Sequence, residues 1–328
     1  MAYSDTIGQT VFTTRKVIDH AFRRCKVPAA KITGEHIDIA KDQLFLLLHQ
    51  WSAVGVNLWC QETLTLPLYE GRAQVTLPAG TIDVLNASLR LLQQPEGTET
   101  DAASSYQIEF DEDTLITSIG ILWNGASTPV NLQRSADGVT WTTIQSESPT
   151  EGSGEWSWYD LSELISTTFF RVVTVAGALN SDTVFFGSLP SETSLSRMNK
   201  DEYFYLPNKA FRSARPLQYW LDRQADSTLM NLWPVPDEDD GRYQLRMQRH
   251  RSIMDVGTLS QQVEVPTRWY EAVVAGLACK LAREIEEVDI NMLKILDPDA
   301  NAAFTSVALE NRDNSPVNID PGISGYTR

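Results

Sequence analysis

Cysteine is scarce in this sequence, and no apolar run is long enough to cross a membrane. The three cysteines of the 328-residue chain lie far apart and form no C-x-x-C pair. An odd number at this spacing argues against a disulfide framework and against a zinc knuckle. The densest apolar run, Leu44–Leu48, is much shorter than the roughly 20 residues of a spanning helix. The first ten residues lack the basic and apolar regions of a signal peptide, so we expect a protein made in the cytoplasm. In such a protein the cysteines are expected to be buried or semi-buried free thiols.

Sequence signatures of catalysis are missing as well. The chain contains no GxxxxGK[ST] phosphate loop, no HExxH pair and no GxSxG elbow. Asp297-Pro298-Asp299 begins like a calcium loop, but Ala302 occupies the position that requires glycine, so the segment indicates helix capping. Acidic runs such as Asp111–Asp113 are typical of solvated surfaces. We therefore expect no enzymatic activity, no cofactor and no metal ion.

Negative charge is unevenly distributed along the chain. The segment Pro95–Pro190 contains 14 acidic and two basic residues, whereas the remainder is almost balanced. A composition shift of this kind marks a domain boundary. We therefore expect an inserted domain at residues 95–190 within a host domain formed by residues 1–94 and 191–310. An extended C-terminal tail at residues 311–328 completes the expected organisation.

Hydrophobic periodicity predicts helices near both chain ends and strands between them. Apolar residues recur at helical spacing over Val17–Cys25, Ile37–Trp51 and Trp269–Val288. A shorter pattern covers Ala300–Leu309, with Pro298 as a break before it. Alternating segments such as ETLTLPL and GRYQLRMQR predict strands. The predicted fold class is α+β, with a helical bundle built from both chain ends and a β-layer, plus an inserted all-β sandwich.

The inserted segment is typical of an all-β sandwich, because short alternating runs are separated by turn-rich sequence. VNLQRSADGVTWTTI predicts a hairpin that turns at Asp137-Gly138, with Trp141 on its second strand expected in the core. Trp156, Trp158 and Tyr159 follow the flexible sequence EGSG. They are candidates for a surface contact of the inserted domain, with structural packing as the alternative.

The last stretch of the chain predicts a second contact surface. It has two prolines, two glycines and no apolar periodicity, so we expect an extended segment that is ordered by a partner. The candidate residues for contact with a portal or a neighbouring subunit are Asn311, Arg312, Pro316, Ile319, Ile323 and Tyr326.

Basic residues of the host concentrate in two groups. Contact with DNA or with an acidic partner is one interpretation, and salt bridges between neighbouring subunits are the interpretation we favour. No concentrated basic stripe is present that would hold phosphates tightly. The groups consist of Arg212, Arg215 and Arg223, and of Arg242, Arg246, Arg249 and Arg251.

Three stretches, in this order, resemble the head-to-tail adaptor family of short-tailed bacteriophages, also known as tail accessory or packaged-DNA stabilisation proteins. They are LLHQWSAVGVNLWCQETLTLPL, RMNKDEYFYLPNKAFRSARPLQYWLDRQADSTLMNLWPVPD and VEVPTRWYEAVVAGLACKLAREI. The resemblance implies a structural virion protein at the head-tail junction, assembled in the bacterial cytoplasm. It implies a ring, typically of twelve copies, that joins the portal to the tail nozzle, extends the DNA channel and retains packaged DNA. Double-stranded DNA would pass through without sequence-specific binding.

The inserted segment resembles a galactose-binding-like, discoidin-type β-sandwich through SIGILWNG, LQRSADGVTWTTI and FFRVV. Such an insertion is not a fixed part of the adaptor pattern. We expect it to dock a tail fibre or to brace neighbouring tail parts, with glycan binding as the second role. For the whole chain, the alternatives are a carbohydrate-binding or wall-degrading tail-associated protein and a sequence-independent DNA-binding protein.

Overall fold

The chain combines helices with several β-sheets, as the predicted α+β class requires, and it divides into two compact units. Unit 1 is formed by the chain up to Glu62 and from His250 onward, and unit 2 by Thr63–Arg249. None of the described helices is long and apolar enough to span a membrane. The computed structural model describes residues 12–54, 58–237, 243–286 and 288–310.

Of the five helices within the described residues, four belong to unit 1 and the short helix α3 belongs to unit 2. The α1 helix is capped by Thr13, whose side chain accepts a hydrogen bond from the Lys16 N–H. The helices are α1 (Thr14–Arg24), α2 (Gly34–Val54), α3 (Lys200–Tyr205), α4 (Tyr270–Glu284) and α5 (Leu293–Glu310).

The predicted break at Pro298 is wrong, because Pro298 lies inside α5. The preceding turn is helical because Leu296 is buried in the core of unit 1. Asp297 therefore does not cap a helix. Its carboxylate accepts hydrogen bonds from the Arg283 guanidinium at 2.9 Å and from the Cys279 thiol at 3.0 Å.

One apolar cluster forms the core of unit 1, and helices from both chain ends contribute to it. The Trp269 ring lies against three aromatic neighbours, at centroid distances of 5.4 Å to Trp51, 4.9 Å to Trp59 and 6.0 Å to Phe304. The three cysteines are buried free thiols, as predicted, and burial raises the pKa of each to about 11. They are therefore neutral packing residues at physiological pH.

Unit 2 contains a six-stranded sheet of order β1-β17-β3-β11-β6-β9, a five-stranded sheet of order β4-β5-β10-β7-β8, and a four-stranded sheet of order β12-β14-β15-β2. A two-stranded pair joins β13 to β16. The strands are β1 (Gln61–Pro67), β2 (Gln74–Thr76), β3 (Thr81–Gln93), β4 (Thr98–Ala102), β5 (Ser105–Leu115), β6 (Ser118–Trp123), β7 (Val130–Ser135), β8 (Thr142–Glu147), β9 (Trp156–Asp160), β10 (Ser166–Thr174), β11 (Ser181–Ser194), β12 (Ser196–Arg197), β13 (Arg212–Ser213), β14 (Gln218–Arg223), β15 (Thr228–Trp233), β16 (Val235–Pro236) and β17 (Tyr243–Arg251).

The predicted β-sandwich is present in unit 2. Its core lies between the five-stranded sheet and strands β6, β9 and β11, and it includes Ile108, Trp123, Leu132, Phe170 and Phe186. Both sheets place alternate residues inward, which is the pattern that their sequences predicted.

The sheet of the sandwich continues into the β-layer. Strand β11 pairs with β6 through Ser181–Gly187 and with β3 through Ser188–Ser194. In the β-layer, which consists of β1, β3, β17 and the four-stranded sheet, a separate apolar cluster includes Val84 of β3, Tyr219 of β14 and Leu245 of β17. The boundaries predicted at Pro95 and Pro190 stay a prediction, and the compact unit that contains the sandwich also contains the β-layer.

The hairpin at Asp137-Gly138 forms as predicted, but its second strand begins later than expected. The Asp137 carboxylate accepts hydrogen bonds from the backbone N–H of Thr140 at 2.7 Å and of Val139 at 2.9 Å. These bonds lower the pKa of Asp137 and hold both residues in the turn, so β8 begins only at Thr142. The expectation that Trp141 lies in the core is therefore wrong. It is half-buried, with the Arg171 guanidinium carbon 4.0 Å from its ring centroid.

Candidate functional site

The aromatic residues that follow the EGSG sequence lie on strand β9, not on a loop. Strand β9 pairs antiparallel with β6, so its side chains alternate between the two faces of the sheet. Tyr159 packs against the sandwich core, where burial raises its pKa to about 12, and Ser157 accepts a hydrogen bond from Trp123 Nε1 at 2.7 Å. Trp156 and Trp158 share the opposite face, in a small separate cluster.

The expected exposure of this group is not observed. Trp156 is only 5% exposed, and Trp158 and Tyr159 are half-buried. The rings of Trp156 and Trp158 stack on each other at 5.4 Å, and Phe185 meets Trp158 edge-on at 5.7 Å. Packing therefore accounts for most of their surface, and their role in contacting a partner stays a prediction.

A tyrosine that is distant in sequence extends this cluster. The Tyr69 hydroxyl accepts a hydrogen bond from the Trp156 backbone N–H at 3.0 Å, across 87 positions of the sequence. We define the aromatic stripe as Tyr69, Trp156, Trp158 and Phe185. The stripe borders two hollows of the surface, because Trp156 and Tyr69 line one and Phe185 lines the other.

We name the hollow lined by Tyr69 and Trp156 the junction cleft. It has a volume of about 470 Å³. It combines aromatic rings with ionic and amide groups. The Arg72 guanidinium carbon lies 4.3 Å from the Tyr69 ring centroid, and Gln74 Nε2 donates to Asn231 at 3.1 Å. Its functional side chains are Tyr69, Arg72, Gln74, Glu151, Glu155 and Trp156.

The two carboxylates of the cleft are held by the loop before β9. Glu155 accepts a hydrogen bond from the Gly152 N–H at 2.9 Å, and Glu151 accepts one from the Thr150 N–H at 2.9 Å. In each carboxylate, one oxygen accepts this backbone hydrogen bond and the second oxygen can accept a hydrogen bond from a ligand. The cleft therefore offers carboxylate acceptors, the exposed Arg72 guanidinium as a donor and the half-buried Tyr69 ring within one concave site.

The second hollow has a volume of about 820 Å³ and adjoins Phe185 and Leu92. Polar side chains also line it, and Gln94 Nε2 donates to the Glu99 carboxylate at 2.6 Å. Both hollows thus have polar side chains beside members of the aromatic stripe.

Close packing fixes the position of Trp158 in the stripe. Its ring covers Gly120 of β6, where an added Cβ would lie 2.7 Å from ring atoms. The ring above this position is therefore the reason that glycine is required. The backbone is not the reason, because the φ angle of Gly120 is not positive.

Replacing Gly120 with alanine is expected to destabilise the sandwich by about 1–3 kcal/mol, the usual cost of overpacking. The measurement is the free energy of unfolding in urea. Gly125→Ala is the matched control, because the nearest atom to its added Cβ lies at an ordinary 3.5 Å. Equal stability of the two variants would contradict the packing of Trp158 on Gly120.

The other predicted contact residues have mixed outcomes. The tail residues Asn311, Arg312, Pro316, Ile319, Ile323 and Tyr326 lie outside the described residues, as does Arg242. Several basic residues of the two groups form salt bridges within the chain, and the bridges between subunits stay a prediction. Arg212 reaches Glu70 at 3.3 Å, Arg223 reaches Asp83 at 2.7 Å, and Arg246 pairs with Glu192.

Sequence analysis missed Tyr69, Arg72 and Gln74. Tyr69 and Arg72 lie in the turn between β1 and β2, where Gly71 has a φ of 68°, and Gln74 is the first residue of β2. The tyrosine and arginine flank this turn glycine, and that is the one signal the sequence offered. Nothing local indicated that the turn reaches β9, because their proximity depends on the pairing of distant strands.

Neither a family model nor a curated protein matches the sequence. Among solved structures, the chain is similar to a family 32 carbohydrate-binding module from a Clostridium perfringens family 31 glycoside hydrolase, at 16% identity, 36% coverage of this chain, 96% of that chain and a TM-score of 0.23. The family 32 module of C. perfringens NanJ, solved with galactose, is 10% identical to the chain. The match covers 39% of this chain and 94% of that chain, with a TM-score of 0.23. The C-terminal domain of a Bacteroides fragilis chitobiase is 11% identical to the chain. The match covers 41% of this chain and 100% of that chain, with a TM-score of 0.23. Scores this low do not establish a shared fold, so the sandwich assignment rests on the strand pairing.

Proposed function

We propose that unit 2 binds carbohydrate in the junction cleft, without catalysing its cleavage. The observation that carries the proposal is the cleft itself, where two aromatic rings lie beside two carboxylates, a guanidinium and a side-chain amide. Sugar rings present apolar C–H faces and a periphery of hydroxyls. Aromatic rings pack against such faces, and ionic groups form the stronger hydrogen bonds to hydroxyls.

The second hollow, which also has polar side chains, is a further candidate surface for a glycan.

Loss of the polar groups of the cleft is expected to weaken glycan binding without unfolding the sandwich. Arg72→Ala and Glu151→Gln each remove one ligand contact, at a cost of about 1–3 kcal/mol, or roughly five- to 150-fold in affinity. A glycan array identifies the ligand, and calorimetric titration of the full chain measures its affinity. Glu109→Gln, an exposed change on β5 away from the cleft, is the control. An array without any bound glycan would refute the proposal.

A second proposal concerns the rest of the chain, which we infer to be a ring-forming head-to-tail adaptor of a short-tailed phage virion. The resemblance of the three host stretches supports it. They include α2 and β1, the segment from α3 to β15, and α4. In this proposal the helices of unit 1 form the adaptor bundle, the ring joins portal and tail nozzle, and DNA passes through without sequence-specific binding.

Deletion of Asn311–Arg328 is expected to abolish binding to the portal protein of the same phage while leaving the helical circular-dichroism signal unchanged. The physical reason is that an extended segment gains order only through contacts with a partner. Co-sedimentation with purified portal measures the loss. Undiminished co-sedimentation of the truncated chain would contradict the assignment of the tail as the portal contact.

A further inference from the structure

The junction cleft is net negative, because two carboxylates and one guanidinium line it. Glu151 and Glu155 supply the carboxylates, and Arg72 supplies the guanidinium. Each carboxylate accepts a backbone N–H, and neither forms a salt bridge within the described part of the chain. The Arg72 guanidinium lies against the Tyr69 ring, with its carbon 4.3 Å from the ring centroid. The cleft therefore keeps an excess of one negative charge.

A second arginine reaches the turn beside the cleft, but it does not change this balance. An added Cβ at Gly71 would lie 3.3 Å from Arg212 Nη2, so this guanidinium lies next to the turn between β1 and β2. Arg212 is 3.3 Å from the Glu70 carboxylate and 3.8 Å from the Asp237 carboxylate. Two carboxylates outweigh the one guanidinium, so the turn adds no positive charge to the cleft.

The segment that supplies both carboxylates of the cleft is itself strongly acidic. Pro95–Pro190 contains 14 acidic and two basic residues. Burial is the largest cause of the raised pKa of Tyr159 on β9, and the charges of Glu151 and Glu147 raise it further. The negative potential of the loop thus extends to strand β9. A concave site with a potential of this sign concentrates cations and repels anions.

The hydrogen-bonding groups of the cleft are mostly acceptors. Gln74 Nε2 donates to Asn231 at 3.1 Å, so the donor end of this amide is occupied and its carbonyl oxygen is left to accept. Glu151 and Glu155 each add a carboxylate oxygen that their backbone bonds do not use. An ammonium group has three donors and no acceptor, and a carboxylate has only acceptors. The cleft therefore matches the ammonium and opposes the carboxylate.

We propose that the junction cleft selects amino sugars, whose protonated amine lies against Glu151 and Glu155, over neutral sugars and over uronic acids. The sugar ring contributes the apolar contact with the aromatic rings of the cleft, and the amine contributes the charge-assisted hydrogen bonds. This selectivity rests on the carbohydrate binding proposed above and names the class of sugar that the cleft takes.

A series of sugars that share one backbone but differ in charge tests the selectivity. The probes are the β-1,4-linked tetramers of glucosamine, glucose and glucuronic acid, with the corresponding galactose series for the other configuration at C4. Calorimetric titration of the full chain is expected to show about tenfold tighter binding of the amino tetramer than of the neutral one, since two half-exposed ion pairs are each weak. The uronic acid tetramer should bind more weakly than the neutral one.

Two further conditions separate charge from shape. N-acetylation of the amino tetramer removes its charge but keeps its backbone, and it is expected to remove the advantage. Raising the salt from about 0.1 M to about 1 M shortens the screening length from about 10 Å to 3 Å, so the advantage should shrink while the affinity for the neutral tetramer changes little.

Variants of the cleft should change the preference in opposite directions. Glu151→Gln with Glu155→Gln is expected to lower the ratio of the two affinities, amino over neutral, to about one, because both ion pairs are lost. Glutamine keeps an oxygen that can accept the backbone N–H, so the loop keeps its bonds. Arg72→Ala removes the cation of the cleft, so it should raise the ratio about threefold although it weakens binding of both sugars. A merely structural effect would lower both affinities alike. Glu109→Gln on β5 is the control for the loss of one charge elsewhere.

The outcomes distinguish this selectivity from carbohydrate binding itself. Equal affinities for the amino and neutral tetramers, tighter binding of the uronic acid, or a preference that survives in the double glutamine variant would each overturn the selectivity and leave carbohydrate binding intact. Binding of another glycan on the array, with no binding of either amino tetramer, would do the same. An array without any bound glycan would refute both proposals.

Discussion

Replacement of Trp269 with alanine is expected to destabilise unit 1 by about 3–5 kcal/mol, the usual cost of truncating a large buried side chain. Trp269 is 2% exposed and lies where the chain enters α4. Its ring touches Trp51 of α2 and Phe304 of α5, so one substitution removes contacts that join three helices. Alanine would leave a cavity that rigid helices cannot close.

Hydrogen exchange of the α4 amides in the full chain measures this effect locally, since the two units need not unfold together. The free energy of opening should fall in α4 and stay unchanged in the sandwich strands. Ile295→Ala, at a position of α5 that is 63% exposed, is the control and should change exchange little. Unaltered protection of α4 in the Trp269 variant would show that the aromatic cluster does not hold the helices of unit 1 together.

Local signals predicted the elements of unit 1 well. Thr13 supplies the cap of α1, and the apolar residues from Val17 to Phe22 are buried along one face, as their spacing indicates. These features depend on residues within a few turns of one another. Pro298 was the exception, because burial of Leu296 in the core continues the helix across a proline that local preference treats as a break.

The elements of the sandwich were also predictable, but its connection to the β-layer was not. Alternation along β7 and β10 indicated which side chains face inward. No local pattern indicated that β11 would pair with β6 over one half and with β3 over the other. Composition places a boundary at Pro190, whereas strand pairing continues through it.

The candidate site shows the same division between local and distant information. Trp156 and Trp158 were identified from their sequence neighbours, but their burial depends on Tyr69, Leu92 and Phe185, which come from distant parts of the chain. The exposed rings around α3 were also open to prediction, because DEYFYLPNKAF concentrates aromatic rings between charged residues. The sequence could not show that α3 would be too short to bury them.

Replacement of Arg251 with methionine is expected to destabilise unit 1 by about 3 kcal/mol, near the lower end of the cost of breaking a buried ion pair. The Arg251 side chain is 11% exposed and makes a bidentate contact with Glu264 and a second contact with Glu62. Methionine keeps the apolar stem but leaves both carboxylates without their cation. Because Glu62 is partly exposed, water solvates one of them and limits the loss. Arg246→Met, which breaks the half-exposed pair with Glu192, should cost only about 0–1 kcal/mol.

The pH dependence distinguishes the ion pair from simple packing. Burial raises the pKa of Glu264, but hydrogen bonds from Arg251 and from the Met254 N–H outweigh it and hold the pKa below its ordinary value of 4.5. A carboxyl with a lowered pKa stabilises the fold above its unfolded-state pKa, and this stabilisation is lost as the pH falls through the folded-state value. Without Arg251, burial dominates and raises the pKa of Glu264. Protonation of Glu264 then removes a buried unpaired charge as the pH falls, which reduces the destabilisation of the variant. The difference in the free energy of unfolding between the wild type and Arg251→Met should therefore shrink from about pH 7 to about pH 4. A difference that stays constant across this range in urea titrations would mean that Arg251 acts through its stem, not through its charge.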